Sequence, residues 1–213
     1  MLKKALNELR NTVKDKVPAD VWQTMSSATE ALAQANLQAN AVKTGDTFPD
    51  FTLKNQYGES RRFYDYLASG PVILNIYRGG WCPYCNLEMK AFHDILPEIK
   101  QRGAQLVGMS PESPDKAKDT AAKADIKIDI LSDTGNAISK QLGIVFTLPD
   151  SLKSIYQQFG IDLPGFNGDD SFTLPLPATY LIDTKGKVLY HFLDEDYTVR
   201  QEPKDLLPLI PHK

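Results

Sequence analysis

Cysteine is almost missing from this chain. Its 213 residues contain two, Cys82 and Cys85. A scaffold stapled by several disulfides is therefore excluded. Histidine is nearly as scarce, with His93, His191 and His212 scattered along the sequence. A structural zinc site needs two more ligands beside a Cys-x-x-Cys pair, and no second paired motif supplies them. No metal and no cofactor are expected. No apolar run reaches the roughly 20 residues of a membrane-spanning helix. No apolar core follows Leu2-Lys3-Lys4-Ala5, so neither a signal peptide nor a transit peptide is expected. An excess of one charge sign is also absent: 24 Lys and Arg stand against 27 Asp and Glu. The basic residues are dispersed, which argues against nucleic acid and membrane as partners. Internal repeats and low-complexity tracts are missing too.

What remains is an ordinary globular composition, 42% hydrophobic and 24% charged. It suffices for one large domain, or for a domain with an appendage. An isolated cysteine pair fits a cytoplasmic setting, where it is kept largely reduced and serves catalysis, not structure.

The chain is organised around the stretch from Val72 to Cys85. Val72 to Tyr77 is a β-branched, apolar run that predicts a buried strand. Gly79 and Gly80 break it. Pro83 suits the first position of a helix, and Leu87, Met89, Phe92, Ile95, Leu96 and Ile99 continue helical spacing to Lys100. Cys82 is thereby expected at a helix N-terminus, where free N–H groups and the helix dipole stabilise a thiolate. Such thiols titrate at about 3.5 to 7.5 instead of about 8.5. Cys85 lies one turn on, with Cα atoms roughly 5 to 6 Å apart, within disulfide reach. The pair can cycle between dithiol and disulfide; two inert core thiols are the plainer alternative. Arg78 is a candidate to stabilise the thiolate or the leaving oxygen, or else a solvated loop charge. Trp81 is a candidate shield and docking surface, or else packing.

Residues 1–42 are rich in Ala, Leu, Gln and Asn. Leu2, Leu6, Leu9 and Val13 predict one amphipathic helix, and Val21, Met25, Ala28, Leu32 and Ala35 a second after Pro18. This arm either packs on the domain or joins two chains into a homodimer. The domain of residues 43–213 opens with a short strand at Asp50–Leu53, a turn at Asn55–Gly58 and a returning strand. After the central strand and the cysteine helix, strands at Ala104–Met109 and Ile128–Leu131 alternate with helices at Pro114–Ala124 and Asn136–Leu142. That alternation predicts an α/β fold. Residues 143–176 are irregular, with a helix at Leu152–Phe159 and a Gly-, Asp- and Pro-rich loop at 162–175 expected to act as a lid or substrate-facing wall. A hairpin of Ala178–Ile182 and Lys187–Phe192 and a last helix at Lys204–Leu209 complete the reading.

Three blocks carry a resemblance: Gly45 to Leu53, Gly70 to Cys85, and Pro177 to Asp183. Together they resemble the thioredoxin superfamily, and within it the peroxiredoxin branch of alkyl hydroperoxide reductase and thiol-specific antioxidant proteins. The tail from Asp196 to Pro203 and the helical arm are similar to a bacterial subgroup called peroxiredoxin-like. The resemblance implies a thioredoxin-like, peroxiredoxin-type fold: a central mixed sheet flanked by helices, with the arm at its N-terminus. It also implies catalytic Cys82 and Cys85, supported by Arg78, Trp81, Pro83, Pro177 and Thr179. Peroxiredoxins usually carry Thr or Ser three residues before the attacking cysteine and Pro seven before it; Gly79 and Asn75 stand there. Where they place an Arg at the late strand, this chain has Pro177, similar to the cis-proline of thioredoxins, and a cis Leu176–Pro177 bond is expected. The activity implied is an antioxidant oxidoreductase that reduces hydroperoxides with electrons from a thioredoxin-like donor. Disulfide exchange on protein substrates, and a non-enzymatic redox sensor, are the alternatives.

Overall fold

A computed structural model describes residues 1–211; His212 lies outside the described residues. The arm forms helices α1 (Leu2–Lys16) and α2 (Ala19–Ala35), followed by a 3-10 turn at Leu37–Asn40. Strands β1 (Thr52–Asn55) and β2 (Ser60–Arg62) make a hairpin, and α3 (Phe63–Leu67) leads into β3 (Val72–Ile76). Then come α4 (Pro83–Asp94), α5 (Leu96–Gln101), β4 (Gln105–Ser110), α6 (Pro114–Lys123), β5 (Ile130–Ser132) and α7 (Ala137–Gln141). The stretch expected to be irregular holds β6 (Val145–Thr147), α8 (Asp150–Gln158), α9 (Leu163–Asn167) and β7 (Thr173–Pro175). Strands β8 (Ala178–Ile182) and β9 (Val188–Leu193) precede a 3-10 turn at Pro203–Leu209.

Seven strands form one mixed sheet in the order β2-β1-β5-β4-β3-β8-β9. β3 runs parallel to β4 and antiparallel to β8, so it is covered on both edges. All five of its residues are buried. Strand alternation sends Val72, Leu74 and Ile76 into one apolar cluster with Phe48, Phe63 and Tyr180. Ile73 faces the other side, with Phe92, Ile99 and Leu181. Fully burying each such aliphatic side chain contributes about 1.5–3 kcal/mol. The strand that delivers the cysteine loop is thus among the most firmly held parts of the molecule.

Three expectations need correction. The cysteine helix does not run unbroken to Lys100. It breaks at Ile95 because Pro97 has no N–H to donate and its ring would meet the carbonyl of His93. The 162–175 segment is not a bare loop. The Asp162 side chain accepts from the N–H of Gly165 at 3.2 Å and so starts α9, and β7 pairs with β6. The Leu176–Pro177 bond is trans, since the described residues contain no cis peptide. Trans is the intrinsic preference even before proline. Here it lets the chain run from Leu176, whose N–H meets the Ile144 carbonyl at 2.7 Å, straight into β8.

The arm lies on the domain. Leu2 and Leu6 of α1, one turn apart, are buried in the same cluster as Tyr77, Cys82 and Cys85. Leu32 of α2 packs on the core that contains Ala41. Among the described residues, no helix is long and apolar enough to cross a membrane.

Candidate active site

The loop between β3 and α4 delivers Cys82 to the start of the helix that holds Cys85. Gly79 adopts φ 145°, and a Cβ built there would sit 2.4 Å from the indole nitrogen of Trp81. A side chain at 79 is therefore doubly disfavoured, and Trp81 occupies its space. The N–H of Cys82 donates to the Gly79 carbonyl at 3.0 Å, which closes the turn. Glu112, fully buried, accepts from the Gly80 N–H at 3.0 Å and from the Thr120 hydroxyl at 3.1 Å. That carboxylate ties the loop to β4 and α6. Cys82 is the N-cap of α4, with Pro83 in the first turn as expected.

Both thiols are buried, Cys82 at 1% exposure and Cys85 at 0%. Burial alone would penalise a thiolate. At Cys82 that penalty is outweighed by a hydrogen bond from Cys85 and by the cations of Arg78 and Arg200, and the thiol is lowered to about 5. Cys85 moves the other way. Burial, its bond to Cys82 and the neighbouring charge of Cys82 push it well above the ordinary thiol range. The two thiols are thus displaced in opposite directions, the pattern expected of a nucleophile beside a resolving group.

Two arginines frame the pair. Arg78 is 2% exposed and not the solvated loop charge of the plainer reading. Its guanidinium lies over the rings of Tyr197 at 4.4 Å, Trp81 at 4.9 Å and Tyr156 at 5.8 Å, and it donates to the Tyr156 hydroxyl. Its Nε has no partner. Arg200, also buried, pairs with Glu88 and places Nη2 3.5 Å from the sulfur of Cys85. Burial raises Glu88, while Arg200 opposes that rise. Asn75 donates to Thr179 at 3.4 Å, so the polar groups continue into the sheet.

Of the residues singled out from the sequence, Cys82, Cys85, Arg78 and Trp81 converge. Thr179 is fully buried opposite Asn75 and joins through that residue. Pro83 is exposed, and its part is to start the helix. Pro177 is buried one residue before Ala178, which pairs with Ile76 at the cysteine end of β3. Sequence reasoning missed Glu88, Glu112, Tyr156, Tyr197 and Arg200. Only Glu88 had a local signal, its place one helical turn after Cys85; the others arrive from distant segments. Among the described residues, no group of three or more His, Cys, Asp or Glu side chains is placed to hold a metal.

The sequence profile described as the AhpC/TSA family matches residues 44–191. The chain belongs to the AhpC/TSA family. A chloroplastic peroxiredoxin Q of Triticum aestivum is 29% identical over 175 residues, 82% of this chain and 70% of that protein. A putative peroxiredoxin of Mycobacterium tuberculosis is 34% identical over 148 residues, 70% of this chain and 83% of that one. The crystal structure of the peroxidoxin BcpB from Mycobacterium tuberculosis superposes with a TM-score of 0.62 at 27% identity, covering 79% of this chain and 96% of that one. The fold is thioredoxin-like, and the family chemistry is that of a thiol-dependent peroxidase. Neither protein disulfide exchange nor a purely sensory role is favoured beside it.

Proposed function

We propose that Cys82 and Cys85 run a peroxide-reducing dithiol cycle in which Cys82 attacks first. The Cys82 thiolate attacks the terminal oxygen of a hydroperoxide, ROOH. The O–O bond breaks, the alkoxide takes a proton and leaves as ROH, and the sulfur becomes a sulfenic acid. Cys85 then condenses with that sulfenic acid, losing water and forming the Cys82–Cys85 disulfide. A dithiol donor of thioredoxin type returns both electrons by exchange. The arrangement that carries this reading is Cys82 at the N-cap of α4, four residues after Arg78, with Cys85 one turn inside the helix; the displacement of Cys82 downward and of Cys85 upward agrees with it. Arg78 supplies charge to the thiolate, and the Trp81 ring packs against the Arg78 guanidinium. A reducing, cytoplasmic setting suits a chain whose only two cysteines are the working pair. The apolar side of α1 packs within one chain, against the cluster that holds both cysteines.

One contact favours the reverse order: Arg200 donates to the sulfur of Cys85, not to that of Cys82. In that reading Cys85 is oxidised first and Cys82 resolves. Single-turnover oxidation of Cys82→Ser and Cys85→Ser by hydroperoxide, followed by sulfenic-acid trapping and mass measurement, separates the two. The main proposal expects trapping in Cys85→Ser alone. Trapping in Cys82→Ser alone establishes the reverse order, and trapping in neither removes the peroxidase cycle.

A further inference from the structure

The Arg200 guanidinium is clamped by its neighbours. The Tyr197 carbonyl accepts from Nε at 2.8 Å and from Nη2 at 2.6 Å, and Glu88 accepts from Nη1. These bonds fix the plane of the group and leave one Nη2 hydrogen for the sulfur of Cys85, 3.5 Å away. The side chains of Arg200 and Glu88 are 1% and 2% exposed, so water does not compete for these contacts. Away from water, an N–H from a cation binds an ionised sulfur far better than a neutral one. Burial pushes Cys85 up, and Arg200 opposes that rise. With Cys82 as the attacking thiol, this contact is not on the sulfur that meets the peroxide. It is on the sulfur that must ionise afterwards.

Resting on the peroxidase cycle above, we propose that Arg200 is a catalytic residue of the second half of that cycle: its Nη2–H holds Cys85 as a thiolate when that sulfur closes the disulfide and again when it leaves it, and Glu88 is its positioning residue. In closure the Cys85 thiol gives up its proton and its sulfur bonds to that of Cys82. The S–O bond of the sulfenic acid breaks, and the departing hydroxide takes a proton to leave as water. In reduction the donor thiolate bonds to the Cys82 sulfur, the S–S bond breaks, and its electron pair goes to the sulfur of Cys85. Both steps pass through the same buried thiolate, and one fixed cation serves both. Glu88 neutralises that cation at rest, so Cys85 keeps its proton until a Cys82 sulfenic acid is there to receive its sulfur.

The full-length reduced protein provides the test. Rapid mixing with hydrogen peroxide, quenching by alkylation and mass measurement separate a peroxide-dependent oxidation from a peroxide-independent closure. Reduction by dithiothreitol of the disulfide, closed beforehand with diamide, is the second reading. In Arg200→Met, closure at pH 7 should slow by about tenfold, and by more than the oxidation does. Its pH midpoint should rise by about one pH unit, so that the rate recovers in alkali, and dithiothreitol reduction should slow as well. Glu88→Gln keeps an acceptor for Nη1 but removes the negative charge, and should instead speed closure at pH 7. The double variant leaves no orphaned carboxylate, should close as slowly as Arg200→Met, and guards against misfolding of that variant. Unchanged closure in Arg200→Met and in the double variant overturns the proposal. So does equal slowing in Arg200→Met and Glu88→Gln without recovery in alkali, the mark of a structural contact. If the wild-type chain consumed no peroxide while Arg200→Met still slowed dithiothreitol reduction, the peroxidase cycle would fall and the role of Arg200 at Cys85 would stand.

Discussion

Arg78 lies among aromatic rings, and Arg200 lies beside a carboxylate. Both are nearly solvent-free, both carry charge against the cost of burial, and both act on the same two thiols. Around Arg200 the compensation is complete in the resting protein. Glu88 accepts from Nη1, and the Tyr197 carbonyl accepts from Nε at 2.8 Å. Around Arg78, no carboxylate among the described residues lies within ion-pair distance. Ring faces and one phenol take its place, and these stabilise a cation less than an anion does. The remaining attraction is available to a thiolate at Cys82 and to charge that develops during the reaction. A neutralised cation holds structure, whereas a cation left short of counter-charge is free to act on chemistry.

The largest expected effect comes from breaking the Arg200 side. Glu88→Ala leaves a buried guanidinium without its carboxylate, which costs about 3–5 kcal/mol of stability. Chemical denaturation of the reduced protein measures this. A loss under about 1 kcal/mol would mean that solvent reaches Arg200 and that the contrast is false.

Arg78→Met should move reactivity more than stability. Removing this cation takes away one of the influences that hold Cys82 low, and alkylation of Cys82 at pH 6 should slow by about tenfold. The same shift is visible in stability. A depressed acid stabilises the fold above its unfolded pKa and loses that contribution as pH falls through its folded value. Relative to Cys82→Ser, the reduced wild-type protein should therefore gain stability from about pH 5, where Cys82 ionises in the fold, up to about pH 8. In Arg78→Met the lower edge of that window should move up. A pH profile identical in the two proteins would show that the Cys85 hydrogen bond and Arg200 depress Cys82 without Arg78.

The smallest effect belongs to the rim. Arg10 of α1 meets Asp196 at 3.3 Å, one residue before the Tyr197 ring that covers Arg78. The pair is half-exposed, so Arg10→Ala should cost less than about 1 kcal/mol and leave the Cys82 alkylation profile in place. A measurable change in that profile would mean that the arm reaches the thiol through Tyr197.

Those contrasts also mark how far the residues could be read in advance. The strand, the glycine break and Pro83 were legible from Val72 to Cys85 because each acts within a few residues, through β-branching, backbone freedom and a missing N–H. The helical arm was legible from its spacing, and the α/β class from the alternation of elements. By itself the sequence determined that a lone thiol pair would sit at the start of a helix behind a buried strand. It could not distribute the charge. Arg200 and Tyr197 come from the tail, Tyr156 from α8, Glu112 from the turn between β4 and α6, and their meeting depends on sheet order and helix docking, which local spacing does not encode. Nor could it decide Leu176–Pro177, which takes the intrinsically preferred trans geometry. Tertiary structure added the burial, the contact between the two thiols and the Arg200 cation more than a hundred residues away in the chain, which set the two thiols apart.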